Sequence, residues 1–160
     1  MSKTKNKIVI CDANVIIDFL ECDISLLADL NALFDEVCIP YMVMIEITKI
    51  SEQELIDMGM YLIETPVQGS PVSGLSPQDW SCVLAVQSTS ELCITNDRKL
   101  RSVLRDMDFD ILWGLETLLM LKKEHIITKS KAEKCGTKIC KRNKYISEAV
   151  KDEFLKKLKQ

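Results

Sequence analysis

The amino-acid sequence predicts an α/β fold built on a parallel central sheet of four to five strands. Short apolar runs alternate with stretches whose apolar residues recur at helical spacing. Two of these runs are followed closely by an acidic residue, the first by Asp12 and the fourth by Asp97. Strands joined by helices of this length form parallel sheets that helices cover on both faces.

The first half of the chain contains three predicted strands. Residues 8–11 are apolar throughout, which is typical of a fully buried strand, and leucine recurs at helical spacing within residues 24–33. Ser51 and Glu54 have the spacing of a capping box that begins a helix. The β-branched residues within 41–50 leave a strand open there as an alternative to a helix. The predicted strands are residues 8–11, 37–39 and 60–64, and the predicted helices are residues 15–20, 24–33, 41–50 and a short one from 51.

The second half begins after a loop rich in proline and glycine at residues 65–76. Ser76 and Pro77 then have the order of an N-cap and a first helical residue. Beyond residue 130 the pattern is helical, with one interruption near Asn143 and a cap at Ser147. The other predicted elements are strands at residues 91–94 and 109–112 and helices from 77, at 97–105 and at 115–122.

Composition and length favour one compact domain in a reducing compartment. The chain has 160 residues, of which 47% are hydrophobic, so a single core is expected. No stretch approaches the roughly 20 apolar residues that cross a membrane, and residues 1–7 lack a signal-peptide apolar region, so we expect a soluble, cytoplasmic protein. We interpret the seven cysteines as reduced thiols. A zinc site is not expected, because there is no CxxC pair and His125 is the only histidine.

The charge of the chain is divided between two regions. Residues 122–160 contain 13 Lys or Arg against 5 Asp or Glu, whereas the other residues contain 8 against 19. A basic segment beside an acidic crevice suits an enzyme that binds a polyanion through its phosphates. The alternative is a pair of lysine-rich surface helices that contact only water.

Four acidic residues fall where a predicted strand ends or a helix begins: Asp12, Glu46, Asp79 and Asp97. Ligand sites in open α/β sheets lie outside the carboxyl ends of the strands, so these acids are expected to share one crevice there. Carboxylates gathered in this way repel each other and favour a hard cation. Each acid also has a structural alternative. Asp12 and Asp97 could cap helices and Asp79 could favour a helix dipole, whereas Glu46, inside an apolar run, would be costly to bury without a partner.

These residues in this order resemble the PIN domain family, over residues 7–121. The motifs that carry the resemblance are Asp12 with Asn14, Glu46, the helix start at residues 75–79, and residues 95–101. The resemblance implies a Rossmann-like three-layer α/β/α sandwich at residues 1–121, followed by a basic helical C-terminal extension at residues 122–160 that packs on the same domain. It also implies that the matching acids bind Mg²⁺ or Mn²⁺ and cut RNA. Many bacterial and archaeal members of the family are toxins of toxin-antitoxin pairs, so the resemblance is also compatible with a toxin role and an antitoxin partner.

Further residues are expected to contact the substrate or to orient the acids. Asn14 would hydrogen-bond a phosphate or an acid, Thr95 and Asn96 would orient Asp97, and two arginines would meet the RNA backbone, Arg98 and Arg101. Four basic residues of the extension beside Tyr145 would add RNA affinity, while Tyr145 could stack on an unpaired base. They are Lys138, Lys141, Arg142 and Lys144.

Two other functions and one assembly also fit the sequence. A degenerate PIN domain would bind RNA or a protein without cutting. A phosphotransfer enzyme would use Asp12 as a covalent acceptor, although no second Asp occurs at position 14 and no conspicuous Lys follows a later strand. Residues 115–121 are apolar nearly all round, so they are either buried in the core or form the interface of a homodimer. We expect the homodimer.

Overall fold

The computed structural model describes residues 7–66, 69–89 and 92–160. Within these ranges five strands form one sheet, in which every neighbouring pair is parallel and the order is β3-β2-β1-β4-β5. The predicted α/β fold, with a parallel central sheet of four to five strands and a helical C-terminal part, is confirmed. The strands are β1 (Lys7–Ile10), β2 (Glu36–Pro40), β3 (Met60–Ile63), β4 (Leu92–Ile94) and β5 (Ile111–Leu112).

Helices flank the sheet, and predicted serine caps begin several of them. Ser51 accepts a hydrogen bond from the Glu54 N–H, and Ser147 accepts one from the Val150 N–H. A short 3₁₀ turn, Leu30–Ala32, extends α2. The α-helices are α1 (Ala13–Cys22), α2 (Ser25–Asp29), α3 (Tyr41–Met44), α4 (Glu52–Asp57), α5 (Pro77–Thr89), α6 (Arg98–Asp106), α7 (Gly114–Lys123), α8 (Lys129–Arg142) and α9 (Glu148–Leu158).

The strand order puts a switch point of the topology beside β1. This strand pairs with β2 on one side and with β4 on the other. The Cys11 N–H donates to the Ile94 carbonyl at 2.9 Å, so the pairing continues to the carboxyl ends of both strands. Open α/β sheets bind their ligands in the crevice at such a point. The residues that follow β1 and β4 therefore lie side by side.

The predicted helix at residues 41–50 is much shorter in the structure. After α3 the chain continues in a tighter turn, in which the Glu46 N–H donates to the Val43 carbonyl and the Ile47 N–H to the Met44 carbonyl. The β-branched side chains that follow α3 lose rotamer freedom in a helix, which explains the early end. The predicted strand at 91–94 is described from Leu92, since residues 90 and 91 lie outside the described ranges, as do residues 1–6 of the N-terminal segment.

The C-terminal helices share the hydrophobic core of the sheet. Helix α8 packs against α1 and α7, and α9 packs against α7 and α8. In α7, Leu115, Leu118 and Leu121 are buried, so packing within the chain accounts for most of its apolar surface. The homodimer was predicted because this helix could form its interface, and it stays a prediction. The core residues contributed by the C-terminal part are Ile127, Ala132, Cys135, Ile139, Phe154 and Leu158.

Two further observations concern membrane-spanning helices and the cysteines. Among the described residues no helix combines the length and apolar character that crossing a membrane requires. All seven cysteines are free thiols, and five of them are buried, which agrees with their interpretation as reduced residues.

The contact between α8 and α9 predicts a strong effect of one methyl group. A Cβ at Gly136 would lie 2.2 Å from Cε2 and 2.3 Å from Cζ of the buried Phe154. We expect Gly136→Ala to lower the free energy of unfolding by about 2 kcal/mol, because overpacking of a rigid ring outweighs the roughly 1 kcal/mol that alanine gains in a helix. Urea unfolding measures this change.

Gly69→Ala is the matched control, because a Cβ at Gly69 meets no atom within 4 Å. Its stability should equal or slightly exceed that of the parent protein. Equal stability of the Gly136→Ala and Gly69→Ala variants would contradict the close packing of α8 on α9.

Candidate active site

Asp12 is fixed by two backbone hydrogen bonds at the carboxyl end of β1. It is the N-cap of α1, and its Oδ1 accepts from the Asn14 N–H at 2.9 Å. Its Oδ2 accepts from the Asn96 N–H at 3.0 Å, in the segment that follows β4. Burial raises the pKa of the Asp12 carboxyl, the two N–H groups oppose this rise, and the charge of Asp97 adds to it. The cap role and the site role therefore coexist in one carboxylate.

Asp97 follows β4 as the N-cap of α6. Its Oδ1 accepts from the Leu100 N–H at 2.7 Å. Its own N–H donates to Oγ1 of the fully buried Thr95 at 3.1 Å. Thr95 therefore contacts the backbone of Asp97, and its predicted role in orienting the Asp97 carboxylate stays a prediction. The prediction for Asn96 is wrong in its detail, because the Asn96 N–H holds Asp12 and its Oδ1 accepts from the Gly114 N–H at 3.0 Å.

Asp79 and Glu46 reach the cavity from the other strand connections. Asp79 lies in the first turn of α5, and its N–H donates to Ser76 Oγ at 3.1 Å. Glu46 lies in the turn after α3. Glu46 is exposed, so the prediction of a charge buried within an apolar run is wrong. In the turn after α3, Glu46 and its neighbour Ile45 are exposed, whereas Met44 and Ile47 are buried.

The charges of the acids influence each other. Desolvation raises the pKa of Asp79, and the charges of Asp97 and Asp12 raise it further. Desolvation also raises the pKa of Glu46, with added repulsion from Asp79 and Asp12. Burial is the larger cause of each rise in pKa, and the like charges that share the site add to it. The four acids therefore form one electrostatic unit, although they come from four separate segments of the chain.

All four acids line one cavity of about 560 Å³ at the carboxyl edge of the sheet. Four predicted substrate residues also line it, namely Asn14, Asn96, Arg98 and Arg101, whereas the fully buried Thr95 does not. Arg98 and Asn14 are exposed there. The remaining lining residues are Cys11, Ala13, Val43, Gln78, Cys82, Trp113, Asn143 and Tyr145.

The chemistry of these side chains fits a hard divalent cation. Mg²⁺ binds through one or two carboxylates and keeps several waters, and this cavity offers four carboxylates and room for water. Burial and mutual repulsion raise the pKa of three of them, and a cation would relieve the repulsion. Within residues 7–66, 69–89 and 92–160, no group of three or more His, Cys, Asp or Glu side chains has the arrangement that would hold a metal ion. Metal binding by these acids stays a prediction.

Arg101 has an environment that the sequence did not predict. Its guanidinium lies over the ring of Trp113, with Cζ 3.7 Å from the ring centroid. Its Nε is buried and has no hydrogen-bond partner among the described residues. Burial lowers the pKa of Arg101, and the nearby charges of Arg105 and Arg98 lower it further. The cation is therefore held against an aromatic ring rather than against the acids of the cavity.

The C-terminal residues divide into two groups. Arg142 forms an ion pair with the buried Asp18, so it has a structural role that the sequence did not predict. Lys138 and Lys141 line a separate open groove on α8, and Lys144 is exposed. The cavity lining contributed by the C-terminal part is instead Asn143 and Tyr145. Only the tyrosine carried a signal in the sequence, as an aromatic residue within a basic segment.

Comparison with known protein families agrees with this geometry. A family model described as the PIN domain matches residues 8–160, which include α8 and α9 as well as all of the sheet except Lys7. A comparison with curated proteins finds no match. PIN domains are generally nucleases. Because the matched region spans nearly all of the sequence, the chain belongs to the PIN domain family.

Proposed function

We propose that this PIN domain is a metal-dependent endoribonuclease that cuts RNA phosphodiester bonds. The observation that carries the proposal is the convergence of Asp12, Glu46, Asp79 and Asp97 on one cavity at the switch point of the sheet. Burial and mutual repulsion raise the pKa of three of these carboxyls. Such a crowded set is costly for the protein to maintain unless a cation neutralises it.

The residues of the site divide the work between holding a cation and holding the substrate. Asp12, Glu46, Asp79 and Asp97 would hold Mg²⁺ or Mn²⁺, which when bound activates water and stabilises charge at the phosphate. Both oxygens of Asp12 are held by backbone N–H groups, one from the first turn of α1 and one from the segment after β4. Arg98 and Arg101 lie on the same cavity wall and would bind the phosphates beside the cut.

The lysines of α8 supply positive charge outside the cavity. Lys134, Lys138 and Lys141 line one open groove on this helix. A polyanion whose phosphates bind there gains affinity through counterion release, independently of its sequence. This supports a substrate longer than the cavity itself, as expected for RNA.

The residues present favour this function over phosphotransfer. The described lining of the cavity includes Asp12 and two arginines but no lysine beside the proposed acceptor. Position 14 is an asparagine, whose N–H serves the cap of α1. A phosphotransfer site with Asp12 as its acceptor would therefore lack a lysine in the described cavity lining, and the sequence shows no conspicuous Lys after a later strand. The toxin role, the antitoxin partner and the cytoplasmic location stay predictions.

Asp12→Asn should abolish Mg²⁺-dependent cleavage of RNA. The amide keeps one oxygen acceptor, so one of the two backbone hydrogen bonds is removed at a cost of about 1 kcal/mol. Relief of repulsion from Asp97 offsets part of that cost. We therefore expect a folded protein without activity, as measured by cleavage of labelled RNA and by urea unfolding.

Glu46→Gln makes the same test with less disturbance, since Glu46 is exposed and its carboxylate makes no hydrogen bond in the described part of the chain. We expect kcat to fall by about 100-fold or more, because even outer residues of metal sites cost 10–100-fold when changed. Glu52→Gln, an equal charge change on α4 outside the cavity, is the control. Equal cleavage by the two variants would contradict a role for Glu46, and RNA binding without any cleavage by the parent would support the degenerate alternative.

Replacing Lys138, Lys141 and Lys144 with alanine should weaken RNA binding and flatten its salt dependence. For a single strand, each phosphate that the protein neutralises contributes about 0.7 to the slope of log K against log salt, so three such lysines contribute about 2. Arg142 is kept, because it holds Asp18. Turnover on saturating RNA should not change. Binding measured by fluorescence anisotropy across a salt series gives the slope.

The control removes equal charge elsewhere, by replacing the exposed Lys123, Lys156 and Lys159 with alanine. A slope that falls equally in both triple variants would indicate a general effect of net charge. An unchanged slope in the first variant would show that the α8 groove does not contact RNA.

A further inference from the structure

We propose that Tyr145 and the stacked pair Arg101–Trp113 form a subsite for an unpaired nucleobase at the mouth of the acidic cavity, and that Asp18 and Asn143 hold Tyr145 there. This inference rests on the proposed function and adds to it the residues of this chain that would hold an unpaired base. The residues involved come from α1, from α6, from the end of β5 and from the loop between α8 and α9.

Tyr145 is the most exposed large hydrophobic side chain of the described residues. It is 94% exposed, and it nevertheless lines the same cavity as the four acids. Because the ring is almost fully exposed, it contributes little to the core of the fold. An aromatic ring beside a nuclease site offers a flat surface on which a base can stack. Stacking on such a ring is worth about 1–3 kcal/mol per base and tolerates any base.

The Arg101–Trp113 pair supplies a second flat surface in the same cavity. The guanidinium lies 3.7 Å from the centroid of the indole ring. Within the described residues Arg101 makes no ion pair, and its Nε lacks a hydrogen-bond partner. A guanidinium held over a ring presents donors to a phosphate or to the edge of a base, and guanidinium and indole groups can both stack with nucleobases.

A chain of hydrogen bonds fixes the backbone at Tyr145. Asp18, which is 2% exposed on α1, accepts from Arg142 Nη1 and from Asn143 Nδ2, the latter at 3.1 Å. The Oδ1 of the same Asn143 amide accepts from the Tyr145 N–H at 3.0 Å. The Ile146 N–H donates to the Asn143 carbonyl at 3.1 Å. Asp18 is therefore a positioning residue that acts on the loop through Asn143.

This arrangement has a direct consequence for the form of the substrate. A base within a duplex is already stacked on both faces and paired along its edge, so it cannot lie against Tyr145 or Trp113. An unpaired base can do so while its own phosphate reaches the acids of the same cavity. The subsite should therefore discriminate between single and double strands without reading sequence.

The test compares one RNA strand in two forms. A fluorescein-labelled oligoadenosine, alone or annealed to oligouridine, is titrated with protein in Ca²⁺, and fluorescence anisotropy gives each Kd. Tyr145→Ala should raise the Kd of the single strand about tenfold and leave that of the duplex unchanged. Tyr145→Phe keeps the ring and should match the parent. Tyr61→Ala, which removes a 54% exposed ring outside the cavity lining, should also match the parent.

The positioning role is tested with two variants of the hydrogen-bonded chain. Asp18→Asn leaves one oxygen to accept where the carboxylate has two, and Asn143→Ala removes both hydrogen bonds of the amide side chain. Each should raise the single-strand Kd about as much as Tyr145→Ala does. Combined with Tyr145→Ala, neither should raise it further, because residues that act as one unit are not additive. Asn143→Ala serves if Asp18→Asn does not fold, as judged by circular dichroism.

Each outcome decides a different part of the proposal. A parent protein that binds neither form of RNA would contradict the proposed function itself. A parent that binds RNA while Tyr145→Ala behaves like Tyr61→Ala would overturn the subsite. Equal weakening of single strand and duplex would overturn the stacking. An unchanged single-strand Kd in the Asp18 and Asn143 variants, beside a raised Kd in Tyr145→Ala, would overturn the positioning role.

Discussion

The site depends first on one hydrogen bond between the ends of two neighbouring strands, from the Asn96 N–H to Asp12 Oδ2 at 3.0 Å. It joins the end of β1 to the end of β4, where the order of the sheet reverses. The other oxygen of Asp12 caps α1, so a helix start and a strand end are fixed by one carboxylate. Asp97, one residue after Asn96, is brought to the same cavity by this contact and by its own cap of α6.

The protein maintains this arrangement against electrostatic repulsion. For an acid whose pKa is raised by folding, the free energy of unfolding falls as pH rises from the ordinary pKa to the raised one, and it stays lower above that. Asp12, Glu46 and Asp79 all have pKa values that are raised in this way. At neutral pH the ionised cluster therefore lowers the free energy of unfolding. The stabilisation from the core shared by the sheet and the C-terminal helices must exceed this cost. A cation bound in the cavity would remove this cost and link stability to catalysis.

Much of this could be predicted from the sequence, because local patterns determine it. Asp12 and Asp97 follow apolar runs, and Asp79 follows a serine and a proline, so strand ends and helix starts place them. The apolar run around Glu46 predicted a buried charge there, which is wrong because Glu46 is exposed, although Glu46 does line the cavity. The contact of Asn143 with Asp18 spans 125 positions, and no local pattern in one sequence indicates such a pairing. The contact between Arg101 and Trp113 likewise forms only in the folded chain, and no local pattern indicates it.

The central claim is that the four carboxylates act as one unit that a divalent cation completes. The most direct measurement is the titration of the carboxyl carbons by NMR, with the signals assigned from single substitutions, in the absence and presence of saturating Mg²⁺. Without the ion, the pKa values of Asp12, Glu46 and Asp79 should lie above their ordinary values. With it, all three should fall together, because the cation favours the charged forms. Raised pKa values that Mg²⁺ leaves unchanged would contradict the claim.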